Sequence, residues 1–284
     1  MLVGPKATPV FTGSRTVNEV IIFDKQASWF RKWALVIGLR KRKFDLVVDL
    51  RNTAIAFLIG AKYSTSFFVD RTAASMRDRH LNRVRFLVSV EGKKNHFDFY
   101  SEAEKKSAFQ KLKPSFGTSH ENNYIVIAPG AGALLKRWTI AGFSEVMNYF
   151  LKRNRNVVLL GWDLERQLGA ELEQKALKPI GNLIGSLSLR ESAALISNAS
   201  LVIVNDSAVM HLAHELGRPT VSIFGPTDHK KYGQTGDNRR TIRLNLECSP
   251  CEVAQCRLER RVCLDDLPAT SVIEASEELL TQCG

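Results

Sequence analysis

In the second half of the chain, apolar residues gather into short, nearly unbroken runs set between stretches of helical spacing. Tyr124-Ile125-Val126-Ile127-Ala128, Asn156 to Leu160, Asn182-Leu183-Ile184, Leu201-Val202-Ile203-Val204 and Thr220 to Phe224 are such runs. Runs of this length predict parallel strands covered on both faces. The intervening spacing predicts helices over Thr139 to Arg153, Glu165 to Leu177, from Leu187 onward, and up to about Leu216, with an amphipathic helix from Ser271 to Leu280. The first half alternates less regularly. Strands are expected at Leu2 to Lys6, Val17 to Phe23, Phe44 to Leu50 and around Ser66 to Val69, and helices at Ala27 to Lys43 and Thr53 to Ala61. In the first helix Phe30, Trp33, Ala34 and Ile37 stand at i, i+3, i+4 and i+7, the spacing of a buried face. Trp29, Phe30 and Trp33 beside Arg31 and Lys32 also suit a helix lying on a membrane surface. A crossover helix packed on its sheet is the preferred reading. Strand and helix alternate throughout, which argues for an α/β fold.

The polar stretch Lys111 to Asn123, broken by Pro114 and Gly117, reads as an interdomain linker. It separates residues 1–118 from residues 119–270, with the closing helix in 271–284. In the second segment the polar residues collect where strands end, and open α/β sheets bind ligands outside those carboxyl ends. The first strand runs into Pro129-Gly130-Ala131-Gly132, where the glycines let backbone N–H groups approach a ligand, and then reaches Lys136 and Arg137. Lys136 would neutralise phosphate oxygens as a point charge. Glu165, beyond the next strand, would accept hydrogen bonds from ribose hydroxyls. Leu187 follows the third, and Asn205-Asp206-Ser207-Ala208-Val209-Met210-His211 the fourth. Asp206 either binds sugar hydroxyls or caps the helix, as Ser207 can, and the N–H groups of that first turn favour a diphosphate. His211 stands near any anion docked there, or is a hydrogen-bonded buried histidine. Four such strand ends in succession predict a crevice for a nucleotide-like ligand.

Charge changes the picture of the first segment. Residues 1–118 hold 22 Lys/Arg and 10 Asp/Glu, whereas residues 119–284 hold 18 and 19. The whole basic excess belongs to the first part and calls for an anionic partner such as a phospholipid surface, a phosphorylated substrate or nucleic acid. No nucleic-acid motif or interleaved aromatic platform supports the last. No apolar run approaches the roughly 18–20 residues of a membrane span, and no signal peptide is recognisable, so a cytoplasmic protein is expected. Cys248, Cys251, Cys256 and Cys263 follow a C-x2-C-x4-C-x6-C pattern. Four thiolates suit a structural Zn²⁺; reduced or packing thiols are the alternative.

Together these residues resemble glycosyltransferase family 9, the lipopolysaccharide heptosyltransferases. The resemblance rests on Pro129-Gly130-Ala131 with Lys136-Arg137-Trp138, Asn182 to Gly185 with Leu187-Ser188-Leu189, Asn205-Asp206-Ser207 with Met210-His211-Leu212-Ala213, and Phe224-Gly225-Pro226-Thr227-Asp228, across residues 124–270. It implies a GT-B fold: a basic acceptor-side Rossmann-like domain over 1–118 facing a donor-binding one over 119–270. It implies inverting transfer of heptose from ADP-heptose to the anionic, lipid-linked lipopolysaccharide core, without a cofactor, by a protein peripheral to the inner membrane. By position Lys136 would meet the donor diphosphate, Glu165 the ribose and Leu187 the adenine. Asp206, Ser207, Ala208 and His211 would surround the diphosphate and sugar, with Ala208 where the family has a smaller pair. Family members begin with a βα unit whose Gly-Asp loop supplies the general base. Here Met1 stands at what resembles the second strand, so that aspartate, and a central strand of the first sheet, are expected to be missing. The alternative is a non-catalytic nucleotide-sugar-binding or scaffold protein.

Overall fold

The computed structural model describes residues 1–51, 53–65, 75–85, 87, 97–116 and 123–283. The chain folds as two compact units, Met1–Phe97 and Asp98–Gly284. The first holds 18 Lys/Arg against 7 Asp/Glu and the second 22 of each, so the whole net charge of +11 sits on the first.

In the first unit β1 (Leu2–Val3), α1 (Thr8–Phe11), β2 (Ile21–Ile22), α2 (Trp29–Lys41), β3 (Leu46–Val47), α3 (Ile55–Ile59), β4 (Tyr63–Ser64) and α4 (Met76–Arg85) follow in order. Strand β1 pairs in parallel with β2, and β3 with β4, as two separate two-stranded sheets. The strand expected over Phe44 to Leu50 is cut short because Asp49 turns the chain. Its carboxylate accepts from the backbone N–H groups of Arg51 and Thr53 and from the Thr53 hydroxyl. Helix α3 ends at Gly60, whose φ of 71° only glycine adopts freely. The strand expected around Ser66 to Val69 lies outside the described residues.

Helix α2 overturns one expectation. Val36 and Leu39 are its buried residues, while Phe30 and Ile37 are 79% and 51% exposed and Ala34 is exposed as well. The helix carries two apolar stripes, and periodicity cannot say which one meets the protein.

The second unit begins with α5 (Glu102–Phe116), which takes in the first residues of the stretch read as a linker and accommodates Pro114 in its last turn. It packs on α8 (Leu189–Asn198), and the division between the units falls about twenty residues before the expected boundary. Ser107 and Lys111 of α5 donate to Glu191 at 2.6 and 2.7 Å. Glu191 also closes a capping box, accepting from the Ser188 N–H at 2.7 Å. Burial raises the Glu191 pKa, but these bonds outweigh it and hold the carboxyl at about 2.

Strands β5 (Tyr124–Ala128), β6 (Asn156–Leu159), β7 (Gly181–Asn182), β8 (Leu201–Asn205), β9 (Thr220–Ile223) and β10 (Arg239–Ile242) form one parallel sheet, ordered β10-β9-β8-β5-β6-β7. Helices α6 (Ile140–Lys152), α7 (Arg166–Gln174), α9 (Ala208–Glu215), α10 (His229–Tyr232), α11 (Val262–Asp265) and α12 (Ala269–Cys283) complete the unit. Alternation within the continuous apolar runs sorts residues to two cores. Ile125 and Ile127 join Phe143, Met147 and Phe150 of α6 and Val272 and Leu279 of α12 on one face. Tyr124, Val126 and Ala128 join Ala108 and Leu112 of α5, Leu195 of α8 and Met210 of α9 on the other. The closing helix α12 is thus an integral part of this layer. Helices on both faces of a twisted parallel sheet make a doubly wound Rossmann-like unit.

Candidate functional site

The chain leaves central β5 toward β6 and β7, then crosses back to add β8 on its other side. That reversal opens a crevice at the carboxyl ends of β5 and β8, the place where such sheets receive ligands. Two segments line it: the Pro129-Gly130-Ala131-Gly132 loop after β5, and Asn205-Asp206-Ser207 at the end of β8.

Asn205 joins them. It is wholly buried, donates from Nδ2 to the Pro129 carbonyl at 2.7 Å and accepts the Trp138 N–H at 3.0 Å. One side chain thereby fixes both ends of the segment that carries Gly130 and Lys136. Sequence reading placed Asn205 in the motif without giving it this task; its full burial at a strand end, between two polar loops, is visible only in three dimensions. Arg261 braces the same segment from outside, donating to the carbonyls of Leu134 and Arg137 at 2.9 and 2.8 Å.

Lys136, 70 residues from Asp206 in sequence, meets it at 2.7 Å. Thr227, from the loop after β9, donates to the same oxygen at 2.7 Å, and the Lys136 Nζ lies 5.6 Å from the centre of the Tyr232 ring. Asp206 is therefore an acceptor for two side chains and not a helix cap. Ser207 occupies the cap position of α9 but makes no capping bond, and its Oγ is buried without a partner. Both capping readings of the sequence are corrected here. The first-turn N–H groups of α9 and the Ser207 hydroxyl are left as donors for an anion. Ala208 is exposed at that turn. His211 follows on α9; desolvation lowers its pKa, opposed by Asp206 and assisted by Lys136. His211 is exposed to solvent, and so is not the hydrogen-bonded buried histidine that the sequence also allowed.

Glu165 is 6% exposed. Its carboxylate accepts the Trp162 N–H at 2.9 Å, faces Arg137 at 3.6 Å, and lies so close to Gly130 that a Cβ there would come within 2.0 Å. The structure therefore brings Lys136, Asp206 and His211 into one electrostatic group and Glu165 against Gly130 and Arg137. Leu187 is half-buried against the core on the α5 and α8 side. Arg137 and Thr227 stood in the motifs without a role and Tyr232 was absent from the reading, and the structure adds all three to the site's polar lining.

The four cysteines line one cavity of about 420 Å³ with Pro226, Ser249 and Arg261. Burial and the neighbouring Cys251, Cys256 and Cys248 push the Cys263 thiol pKa up. Among the described residues no group of three or more metal-ligating side chains comes together, so the zinc reading gains no support. Their loop instead leans on the site: the N–H groups of Cys251 and Glu252 donate to the Pro226 carbonyl at 3.0 and 2.9 Å.

The model of glycosyltransferase family 9 (heptosyltransferase) matches residues 32–261. The chain is 30% identical to lipopolysaccharide heptosyltransferase 3 of Escherichia coli strain K12, over 99% of this chain and 89% of that protein. It is 27% identical to lipooligosaccharide heptosyltransferase 2 of Campylobacter jejuni, over 93% and 83%. Among solved structures, a family 9 glycosyltransferase from Veillonella parvula superposes with a TM-score of 0.80 at 21% identity, over 99% of this chain and 87% of that one. The ADP-heptose lipopolysaccharide heptosyltransferase II of E. coli gives 0.75 at 22%, over 99% and 88%. The fold is of the GT-B type, and with the doubly wound sheet, the crevice at its switch point and a family match across most of its length, this chain belongs to glycosyltransferase family 9.

Proposed function

We propose that this glycosyltransferase moves heptose from ADP-heptose to the inner core of lipopolysaccharide, with inversion at the anomeric carbon. The observation that carries the reading is the unpartnered donor set at the start of α9, the Ser207 hydroxyl and the first-turn N–H groups, beside Lys136. That set suits a diphosphate. Lys136 would leave Asp206 for the diphosphate oxygens, and Asp206, still held by Thr227, would take sugar hydroxyls. His211 and Ala208 border the same turn. Glu165 and Leu187 would border the nucleoside, Glu165 through the ribose. The leaving group is ADP, and the backbone and Lys136 would stabilise the charge that develops on it. Asp206, held by Thr227 and turned to the sugar hydroxyls, is not proposed as the base for the acceptor hydroxyl. The transfer needs no resident cofactor. The acceptor would be held by the first unit, whose +11 charge suits a phosphorylated lipid-linked saccharide at the cytoplasmic face of the inner membrane.

Calorimetry with ADP and ADP-heptose tests the donor half. Saturable binding is expected, and Lys136→Ala should weaken it by about 10- to 100-fold, the worth of one charge-assisted phosphate contact. No binding at millimolar ADP would overturn the reading.

A further inference from the structure

Helix α2 has a solvent face that its packing does not explain. At about 100° per residue, Trp29, Phe30, Trp33, Ile37, Arg40 and Lys41 fall within roughly 120° of arc. Leu39 lies well outside that arc and Val36 at its edge beside Trp29, and these two are the buried residues of the helix. Trp29 is 65% exposed, Phe30 79%, Trp33 39% and Ile37 51%. The three rings are not splayed. Trp29 lies edge-on to Phe30 at 5.5 Å and to Trp33 at 5.7 Å, forming one aromatic cluster on the surface. Arg40 and Lys41, one turn beyond Ile37, are exposed and form no ion pair among the described residues.

Leaving two indoles and a phenyl ring in water is unfavourable for a monomer unless something covers them. The composition of the face selects the cover. Tryptophan belongs at the boundary between headgroups and acyl chains, where a ring is half apolar and half wet. Cationic side chains beside such rings add attraction to anionic lipid. The unit that carries the helix also holds the chain's entire positive excess.

We propose that the Trp29-Phe30-Trp33-Ile37 face of α2 docks this protein on an anionic bilayer, with the rings at the headgroup boundary and Arg40 and Lys41 on lipid phosphates. This rests on the lipid-linked acceptor reading and deepens it, naming the surface that would bring the acceptor unit to the membrane. The helix lies on the bilayer and does not span it, and no helix among the described residues is long and apolar enough to do so.

Co-sedimentation with phosphatidylglycerol-containing vesicles tests the proposal, beside phosphatidylcholine vesicles. The whole chain is expected to sediment with the anionic vesicles and to be released by raised salt. A Trp29→Ser, Phe30→Ser, Trp33→Ser variant should partition about tenfold or more weakly. Arg40→Glu with Lys41→Glu should abolish the preference for anionic lipid. In a Trp162→Phe background, brominated lipid should quench the emission of Trp29 and Trp33 and spare that of Trp138, which is only 3% exposed and lies in the other unit's core. Circular dichroism and ADP affinity report whether each variant is folded, and ADP affinity tests the donor reading separately from vesicle binding. Wild-type protein that stays in solution with anionic vesicles, or a folded triple variant that sediments like wild type, would overturn the proposal. So would a self-associating wild type whose dimer, rather than lipid binding, the triple variant abolishes.

Discussion

Replacing Asn205 should separate its structural work into parts that can be measured. The side chain is fully buried and serves two main-chain groups, the Trp138 N–H at 3.0 Å and the Pro129 carbonyl at 2.7 Å. Asn205→Ala leaves both without a partner. Each buried unsatisfied group costs about 1–3 kcal/mol, so the variant should lose about 2–6 kcal/mol. Asn205→Asp has the same shape but keeps only the acceptor for Trp138. Its second oxygen faces the Pro129 carbonyl and can stay there only as a protonated O–H donor. Burial and this contact therefore raise the carboxyl pKa in the folded state above its unfolded value of about 3.9. A group with a raised folded pKa contributes stability that is present below the unfolded pKa and lost as pH rises through the folded one. Asn205→Asp should thus approach wild type near pH 4 and fall progressively behind it toward pH 8, by about 1.4 kcal/mol per pH unit while the folded form alone is protonated. Urea unfolding across pH gives the free energies. Deuterium exchange at the Trp138 amide gives a local reading: faster in the alanine variant, protected in the aspartate variant at low pH. An alanine variant that loses under about 1 kcal/mol, or an aspartate variant whose deficit is independent of pH, would refute the reasoning.

Two further outcomes are expected. Gly130→Ala places a methyl 2.0 Å from the Glu165 carboxylate, whereas a Cβ at Gly132 meets nothing within 4 Å; ADP affinity by calorimetry should fall about tenfold or more for the first and stay within about twofold for the second. His214 is 4% exposed, has no hydrogen-bond partner at either ring nitrogen, and burial followed by Arg239 and His211 lowers its pKa to about 3. Its folded pKa lies below the unfolded value of about 6.5, so its contribution is complete above that pH and is eroded as pH falls toward 3, by up to about 1.4 kcal/mol per unit. Chemical unfolding between pH 4 and 7 should show this slope in wild type and a shallower one in His214→Leu; equal slopes would dismiss the histidine as its source.

The second unit was legible because its strands are buried on both sides. Four of the five apolar runs from Tyr124 to Phe224 match an observed strand to within one residue, Asn182-Leu183-Ile184 overlaps its strand only at Asn182, and the strand-end residues Lys136, Asp206 and His211 do converge. The partners were less legible. Thr227 and Arg261 act on the site from segments 21 and 124 residues away from those they hold, and no local pattern announces such pairing. Helix α5 was hidden by Pro114 and by a polar face whose Ser107 and Lys111 serve Glu191 instead of solvent. In α2 the pattern carried two stripes of comparable strength, and the more aromatic one proved to be the outer one. The cysteine spacing suggested a metal, but spacing states only which side chains can meet; the four line one cavity without forming a recognisable ligand group among the described residues.

The central place of β5 has a consequence for how the site comes into being. Its neighbour β6 follows it closely, but β8, its partner on the other side, lies beyond two further strands and their helices. On a ribosome adding about 5–20 residues per second, the glycine loop and Lys136 emerge several seconds before Asp206 can reach them. Until then β5 presents an open apolar edge, and the crevice has only one wall. The crevice therefore gains its second wall late, when β8 docks and Asn205 closes on Pro129 and Trp138. A ligand that binds this crevice would favour the β5–β8 pairing and none of the states that precede it.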